Sequence, residues 1–531
     1  MKESLFSTNV TTCDDGGGKV RNSLGKLLNR LKGLAGALAS RRNRLNRSMR
    51  ERYSAHSMAL IATAACGVLA VVMLLAPNYL GMGNDSLANA KMSSYQLGYM
   101  DDIFLSGGAA TNAYFTRVYE LTHLDGVSEV SLQRAVVSLA KALDWLATRD
   151  QLFDIRFLAL IYIALYLPGV YLVVRAALER VRAFSEAAVL TALGVLIFSD
   201  VAYIAYFNSL YADALFFIML LYMAGCSLLM HRDGKRQGVY TVLLGLSGMG
   251  FCLVAGRGFL AGGIVAFFLL THLRYRNGRR GKALSAIVAC LVLMTSVLSF
   301  FQVSDEFDDT GKYHAMTRGV LLQSDDPAKT LEDMGINGSF SVLANDSLYA
   351  EYPVTQIGNP LIQREFLSRY STGDIMAYYL RHPGALIAMW DLGAKAAVNL
   401  RRDSCGNYER STGMPPMSKS VFGAVWSIFK MQSAPKTIGY IAVLAAVVFV
   451  MTGRQALGKH PRQWDFTYFM TCASLLMIGM ADMTYVILNS GDAQLVQYNA
   501  VLGTVMDILL YFVCAELLNK LKVLEDDDRE A

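Results

Sequence analysis

The residues with chemistry to offer gather where apolar runs end. Asp85 sits in Gly81-Met82-Gly83-Asn84-Asp85-Ser86, directly after the first long apolar run. The glycines let the chain turn and bring a carboxylate back toward the apolar layer, which makes it a site candidate. The same Asn-Asp-Ser would equally well start a helix as its cap. A second group, Ser199 to Asp213, packs Asp200, Tyr206, Asn208, Tyr211 and Asp213 into one short connection. Aromatics alone there would be an interfacial belt, but two flanking acids are less ordinary and make the group a site candidate. Arg257 stands in Gly256-Arg257-Gly258, a tight hairpin. Its guanidinium could hold a phosphate, or could merely anchor a helix end. Asp482, Asp492 and Asp507 are further acids in or beside apolar runs. Ionisable groups at that depth are costly unless they pair or line a wet cavity, so each is a site candidate.

The elements that must position these groups are membrane helices. Of 531 residues, 54% are hydrophobic and 17% charged, against about 25% charged in an ordinary soluble chain. That excludes a soluble enzyme, a disordered tail protein and a secreted disulfide scaffold. A hydrocarbon core of about 30 Å needs about 20 apolar residues per helix. Ten candidate spans result, near residues 57–77, 153–175, 184–200, 211–230, 238–255, 259–272, 283–301, 438–451, 466–488 and 500–518. The fold expected is an all-α membrane protein of about ten transmembrane helices.

Residues 1–56 carry twelve Lys and Arg residues and read as a basic cytoplasmic tail rather than a cleaved signal peptide. Such a run could bind nucleic acid, but the following span favours an anionic membrane surface, so no nucleic-acid partner is expected. Basic clusters at 175–182, 232–236, 274–282 and 454–462 fall on the tail side, which places both termini in the cytoplasm. Residues 57–301 then form an N-terminal transmembrane module with an outer loop at 78–152. Residues 302–437 form a small extracytoplasmic cap, 438–518 the C-terminal spans, and 519–531 a short tail. Within the first outer loop, 129–149 has helical apolar spacing with charge opposite, as in a helix lying on the membrane surface. Six of the eight cysteines sit in apolar runs and read as packing residues. No Cys/His metal spacing, Walker lysine loop or GxSxG occurs.

An acid just after the first span, followed by polar residues in later outer loops, resembles the GT-C superfamily of integral-membrane glycosyltransferases. Within it the pattern is similar to bacterial secondary-cell-wall and S-layer glycan hexosyltransferases (WsfD-like). The residues that carry the likeness are Gly83-Asn84-Asp85, Tyr206 to Asp213, Arg257, Arg401 with Asn407-Tyr408-Glu409, and Gly491-Asp492-Ala493 with Asn499 and Asp507. That group often has Glu where Asp213 stands and Lys where Arg257 stands. The resemblance implies transfer of a hexose from a polyprenyl-phosphate sugar to a cell-surface glycan, on the outer face of a bacterial plasma membrane. It implies Asp85 as catalytic base, Arg257 on the donor phosphate, and Asp200, Tyr206, Asn208, Tyr211, Asp213 and Asp492 as sugar, acceptor or supporting residues. A divalent cation (Mg or Mn) held by clustered carboxylates is a further possibility, as is a partner enzyme that makes the lipid-linked donor. Two rivals remain: a transporter or flippase of lipid-linked sugars, and a polysaccharide polymerase or ligase, the latter on account of Arg364, Arg369, Arg381, Arg401 and Arg402.

Overall fold

The computed structural model describes residues 48–49, 52–75, 80–100, 111–122, 131–230, 236–254, 256–275, 278–304, 309–349, 352–458, 462–493, 495 and 500–521. Asp101, Asp102, Asn499 and nearly all of the basic tail lie outside them. The described residues form an all-α membrane protein. The chain order of the longer helices is α1 Ala55–Leu75, α2 Leu132–Thr148, α3 Arg156–Leu178, α4 Phe184–Phe198, α5 Asp213–Leu229, α6 Gln237–Val254, α7 Phe259–Thr271 and α8 Gly278–Ser304. After them come α9 Pro383–Val398, α10 Val425–Ser433, α11 Ile438–Val448, α12 Gln463–Ser490 and α13 Ala500–Leu521.

All ten expected spans are helical, but they do not cross in one way. Among the described residues, six helices are long and apolar enough alone (α1, α3, α6, α8, α12 and α13). Two more qualify only as bent pairs. α4 continues through residues 201–208 after a 41° bend, and α10 joins α11 at 107°. α5 and α7 are shorter apolar helices. The breaks fall where polar side chains satisfy the freed backbone, as a low-dielectric setting requires. At the first break the Asp200 carboxylate accepts from the Ala202 amide at 2.8 Å and from the Ser427 amide, at the start of α10, at 2.8 Å.

α2 is the expected amphipathic helix, opened by Ser131, whose hydroxyl accepts from the Arg134 amide at 3.2 Å. One face buries Gln133, Val136, Val137 and Ala140. The other leaves Leu139, Leu143, Trp145 and Leu146 exposed, as suits a helix resting on acyl chains. A small antiparallel sheet, not foreseen from the sequence, ties this loop together: β1 Leu97–Gly98, β2 Val118–Leu121 and β3 Leu152–Asp154, in the order β1-β2-β3. Tyr119 lies opposite Phe153 in the β2–β3 pairing.

The apolar interior divides in two. One cluster runs through the spans and includes Tyr166, Phe207 and Tyr511. The second joins the 313–397 segment to the ends of α11, α12 and α13 through Tyr313, Phe366, Tyr379, Met389, Met483 and Met506. Of the six cysteines read as packing residues, Cys66, Cys226, Cys252 and Cys472 are buried and Cys514 is partly so, while Cys290 is exposed on α8. Asp507 pairs inside the bundle, accepting from Lys430 at 2.9 Å and from the Trp426 indole at 3.0 Å, which pins α10 against α13.

Candidate functional site

Three stretches far apart in sequence interlace beyond the end of α1. The Gly81 amide donates to the Asn407 carbonyl (3.1 Å) and the Gly83 amide to the Gly406 carbonyl (2.9 Å). The Gly406 amide donates to the Asn112 carbonyl (2.8 Å), and the Phe115 amide to the Tyr408 carbonyl (2.9 Å). Glycine is required at these crossings by close approach. A Cβ on Gly83 would stand 2.2 Å from the Asn112 oxygen, and one on Gly406 2.1 Å from the Ala113 oxygen. Gly83→Ala must push these backbones apart and move Asp85. Misplacement by about 1 Å can cost about 10²-fold in rate. The expected result is a loss of that order with the protein still folded, read from turnover and thermal unfolding side by side.

The weave delivers Asp85 to Arg402. The Asp85 Oδ2 accepts from Arg402 Nη1 at 2.9 Å, and the Asp213 Oδ2 accepts from Nη2 at 3.2 Å. Arg402 is 2% exposed, Asp85 6% and Asp213 8%, so this is a buried three-member ion cluster. The guanidinium carbon lies 4.0 Å from the centre of the Tyr211 ring. Burial works against the Arg402 charge, but Asp213, then the neighbouring tyrosines and Asp85, outweigh it and hold its pKa well above the ordinary value. Lys419 donates to the Arg402 and Cys405 carbonyls and fixes the turn that carries the arginine. Cys405 is buried beside Tyr211, and burial raises its thiol pKa, which disfavours the thiolate.

Asp85 also caps a helix. Its Oδ1 accepts from the Ala88 amide at 3.2 Å, at the start of helix Ser86–Met92. Both readings of Asn-Asp-Ser therefore meet in one carboxylate, with one oxygen on the backbone and the other on the arginine. The Tyr211 hydroxyl accepts from the Asp85 amide (2.8 Å) and donates to the Gly83 carbonyl (2.9 Å), which clamps this turn. The Asn84 amide group donates to the Tyr99 and Tyr119 hydroxyls at 2.9 and 2.8 Å.

Beside the cluster opens a pocket of about 470 Å³, its open mouth included. Lys91, Tyr95, Gln133, Tyr211, Asp213, Phe216, Arg257 and Arg402 carry its lining chemistry. Arg257 sits over the Phe216 ring at 4.8 Å and pairs with Asp482 of α12 at 3.4 Å. Gln133, on the inner face of α2, accepts from the Tyr162 hydroxyl at 2.9 Å.

The structure thus brings Asp85, Tyr211, Asp213 and Arg257 to one place. It puts the other sequence candidates to different uses. Asn208 donates to the Leu74 and Leu80 carbonyls (3.1 and 2.8 Å), stapling the end of α1. Asp200 caps helix starts, as described above. The Tyr206 hydroxyl donates to the Leu400 carbonyl at 3.1 Å, next to the arginine turn. Asp492 grips Arg318 with both oxygens, at 2.6 and 2.8 Å, and joins the 309–349 segment to the end of α12. None of these four lines the pocket, and Asp85 meets it only through Arg402. Arg401, part of the resemblance, donates to the Ser420 carbonyl and Ser427 hydroxyl. Arg402, Lys91 and Gln133 were not singled out for the site by sequence. Arg402 stood only among five outer arginines, and 317 residues separate it from Asp85.

A divalent cation does not fit this donor set. Asp85 and Asp213 direct their facing oxygens at one guanidinium. Among the described residues, no three metal-ligating side chains converge.

The family model described as the YfdI N-terminal transmembrane domain matches residues 43–531. The chain belongs to this family. The match covers every span and both halves of the ion cluster. No curated protein matches. Two solved structures of the Archaeoglobus fulgidus oligosaccharyltransferase are similar. One is tethered to an acceptor peptide by a disulfide, with 14% identity, a TM-score of 0.36, and coverage of 90% of this chain and 51% of that one. The other is AglB with an inhibitory peptide and a dolichol-phosphate, with 13% identity, a TM-score of 0.36, and coverage of 89% and 51%. The chain spans about half the length of these structures.

Proposed function

We propose that this protein is a polytopic membrane glycosyltransferase of the GT-C type, taking a hexose from a polyprenyl-phosphate donor to a glycan acceptor on the outer face of the membrane. The observation that carries the reading is the buried Asp85–Arg402–Asp213 cluster, whose Arg402 and Asp213 line a pocket that Arg257 also lines. A polyprenyl-phosphate sugar has a good leaving group. The enzyme must take a proton from the acceptor hydroxyl, balance charge on the departing phosphate, and hold the two reactants in line.

Asp85 is the base. Its Oδ2 would receive the acceptor proton while the hydroxyl oxygen attacks the anomeric carbon, and the bond to the phosphate oxygen breaks with its electrons staying on phosphate. A single displacement of this kind inverts the anomeric centre. Arg402 positions Asp85, and Arg257 offers hydrogen bonds to the phosphate. Asp213, Tyr211 and Gln133 present polar atoms to the sugar. The family match is to the YfdI N-terminal transmembrane domain and not to the secondary-cell-wall and S-layer hexosyltransferases that the motifs suggested; a partner enzyme would supply the donor. No step is routed through a metal, because the carboxylates face an arginine.

The test is turnover by the purified chain. It should consume a polyprenyl-phosphate hexose in the presence of acceptor glycan and release polyprenyl phosphate. Intact donor after prolonged incubation with a full panel of hexoses and glycans would remove the reading.

A further inference from the structure

The charged groups around the pocket differ in how far they are already committed. Arg402 is shared by Asp85 and Asp213. Arg257 is paired with Asp482. Both arginines and all three acids are under a tenth exposed. An anion that drew either guanidinium away would strand a buried carboxylate, so neither arginine brings uncompensated charge to a ligand.

Lys91 differs. It is half-buried and lines the pocket. Its ammonium makes no hydrogen bond, ion pair or ring contact with the described residues. Its placement follows from the local fold. Asp85 caps helix Ser86–Met92, and Ala88, Lys91 and Tyr95 then recur at three- and four-residue spacing on one side of the chain, all three lining the pocket. The cap thus places the lysine at the cavity lined by Arg402, the arginine that Asp85 holds.

We propose that Lys91 is the phosphate-holding cation of the site, binding the phosphate of a lipid-linked sugar donor and the phosphate product it becomes. This rests on the donor reading above. A phosphodiester carries one negative charge, while the monoester that departs carries about 1.5 to 2 at neutral pH. An ammonium with no carboxylate partner among the described residues gains attraction as that charge grows. Lys91 therefore favours the departing state over the bound donor, whereas the two arginines orient through hydrogen bonds.

The experiment titrates undecaprenyl monophosphate into the full chain in nanodiscs, with undecaprenol and inorganic phosphate as parallel probes, for wild type, Lys91→Gln and Lys91→Arg. Wild type should prefer the phosphorylated lipid to the neutral one. Lys91→Gln should weaken the phosphorylated lipid by about tenfold or more, the worth of one hydrogen bond to a charged group. Lys91→Arg should recover most of it, and undecaprenol binding should not change in any variant. That last control separates lost charge from lost fold. Equal binding of undecaprenyl monophosphate by wild type and Lys91→Gln would overturn the assignment of Lys91 and leave the donor reading standing. A wild type that binds both lipids alike would sink the donor reading and the lysine's role together. A wild type that takes inorganic phosphate as tightly as the lipid form, lost in Lys91→Gln, would keep the phosphate site and overturn its lipid source.

Discussion

Asp85→Asn lowers glycosyl transfer by about 10² to 10⁴-fold, the usual worth of a positioned general base. The substitution is close to isosteric, so the amide oxygen can still accept from the Ala88 amide and keep the helix Ser86–Met92 capped. Asp213 still answers the Arg402 charge at 3.2 Å, so the buried guanidinium is not left uncompensated. Stability should therefore fall by only about 1 kcal/mol, the net worth of one hydrogen bond. Donor binding should be nearly unchanged. Activity and melting temperature measured on one preparation decide the point. A variant that turns over normally would take Asp85 out of the mechanism, and one that fails to fold would make it a structural cap.

Arg402→Gln has the larger effect on the protein itself. It removes the single cation shared by two buried carboxylates, and stranding a buried charge costs about 3–5 kcal/mol. It also releases the Asp85 side chain from its 2.9 Å contact. Two buried carboxylates deprived of their shared cation resist both being ionised. One of them should take up a proton, and any residual activity should shift to higher pH. The sign follows from the direction of that change: a carboxylate whose pKa is raised stays protonated at neutral pH, and a base must be deprotonated to act. Thermal unfolding and a pH–rate profile check both halves. An Arg402→Gln protein with wild-type melting and an unshifted profile would mean that the cluster neither supports the fold nor tunes Asp85. Arg402→Lys keeps the charge but loses the two-pronged geometry, so it should recover stability better than rate.

Much of this molecule was legible from residue order. The ten apolar segments were readable because span length is set by bilayer thickness, and α2 because its apolar spacing is local. The two bends were not, because hydropathy does not show where a chain changes direction inside an apolar run. At the site, Asp85, Tyr211, Asp213 and Arg257 were legible as polar groups out of place in apolar surroundings. Asn208 and Asp200 were out of place for a different reason. They satisfy carbonyls and amides exposed where helices end, and the same side-chain chemistry serves a backbone or a sugar equally well. Asp492 found Arg318, which lies 174 residues away. Arg402 was the costliest omission. Nothing near Arg401-Arg402-Asp403 marks the second arginine as buried, and only the weave of residues 80–85, 111–115 and 405–408 brings it to Asp85.

On the proposed reading, this pocket breaks the bond between a sugar and a lipid phosphate instead of carrying the intact lipid across the membrane. The direct measurement reconstitutes the full chain in vesicles loaded with hexose-labelled polyprenyl phosphate, with acceptor glycan outside, and follows where the label goes for wild type and Asp85→Asn. Label on the glycan and free polyprenyl phosphate are expected with wild type, and neither with Asp85→Asn. Intact labelled lipid crossing the bilayer at equal rates in both proteins, with no glycan labelled, would contradict it and make the protein a transporter.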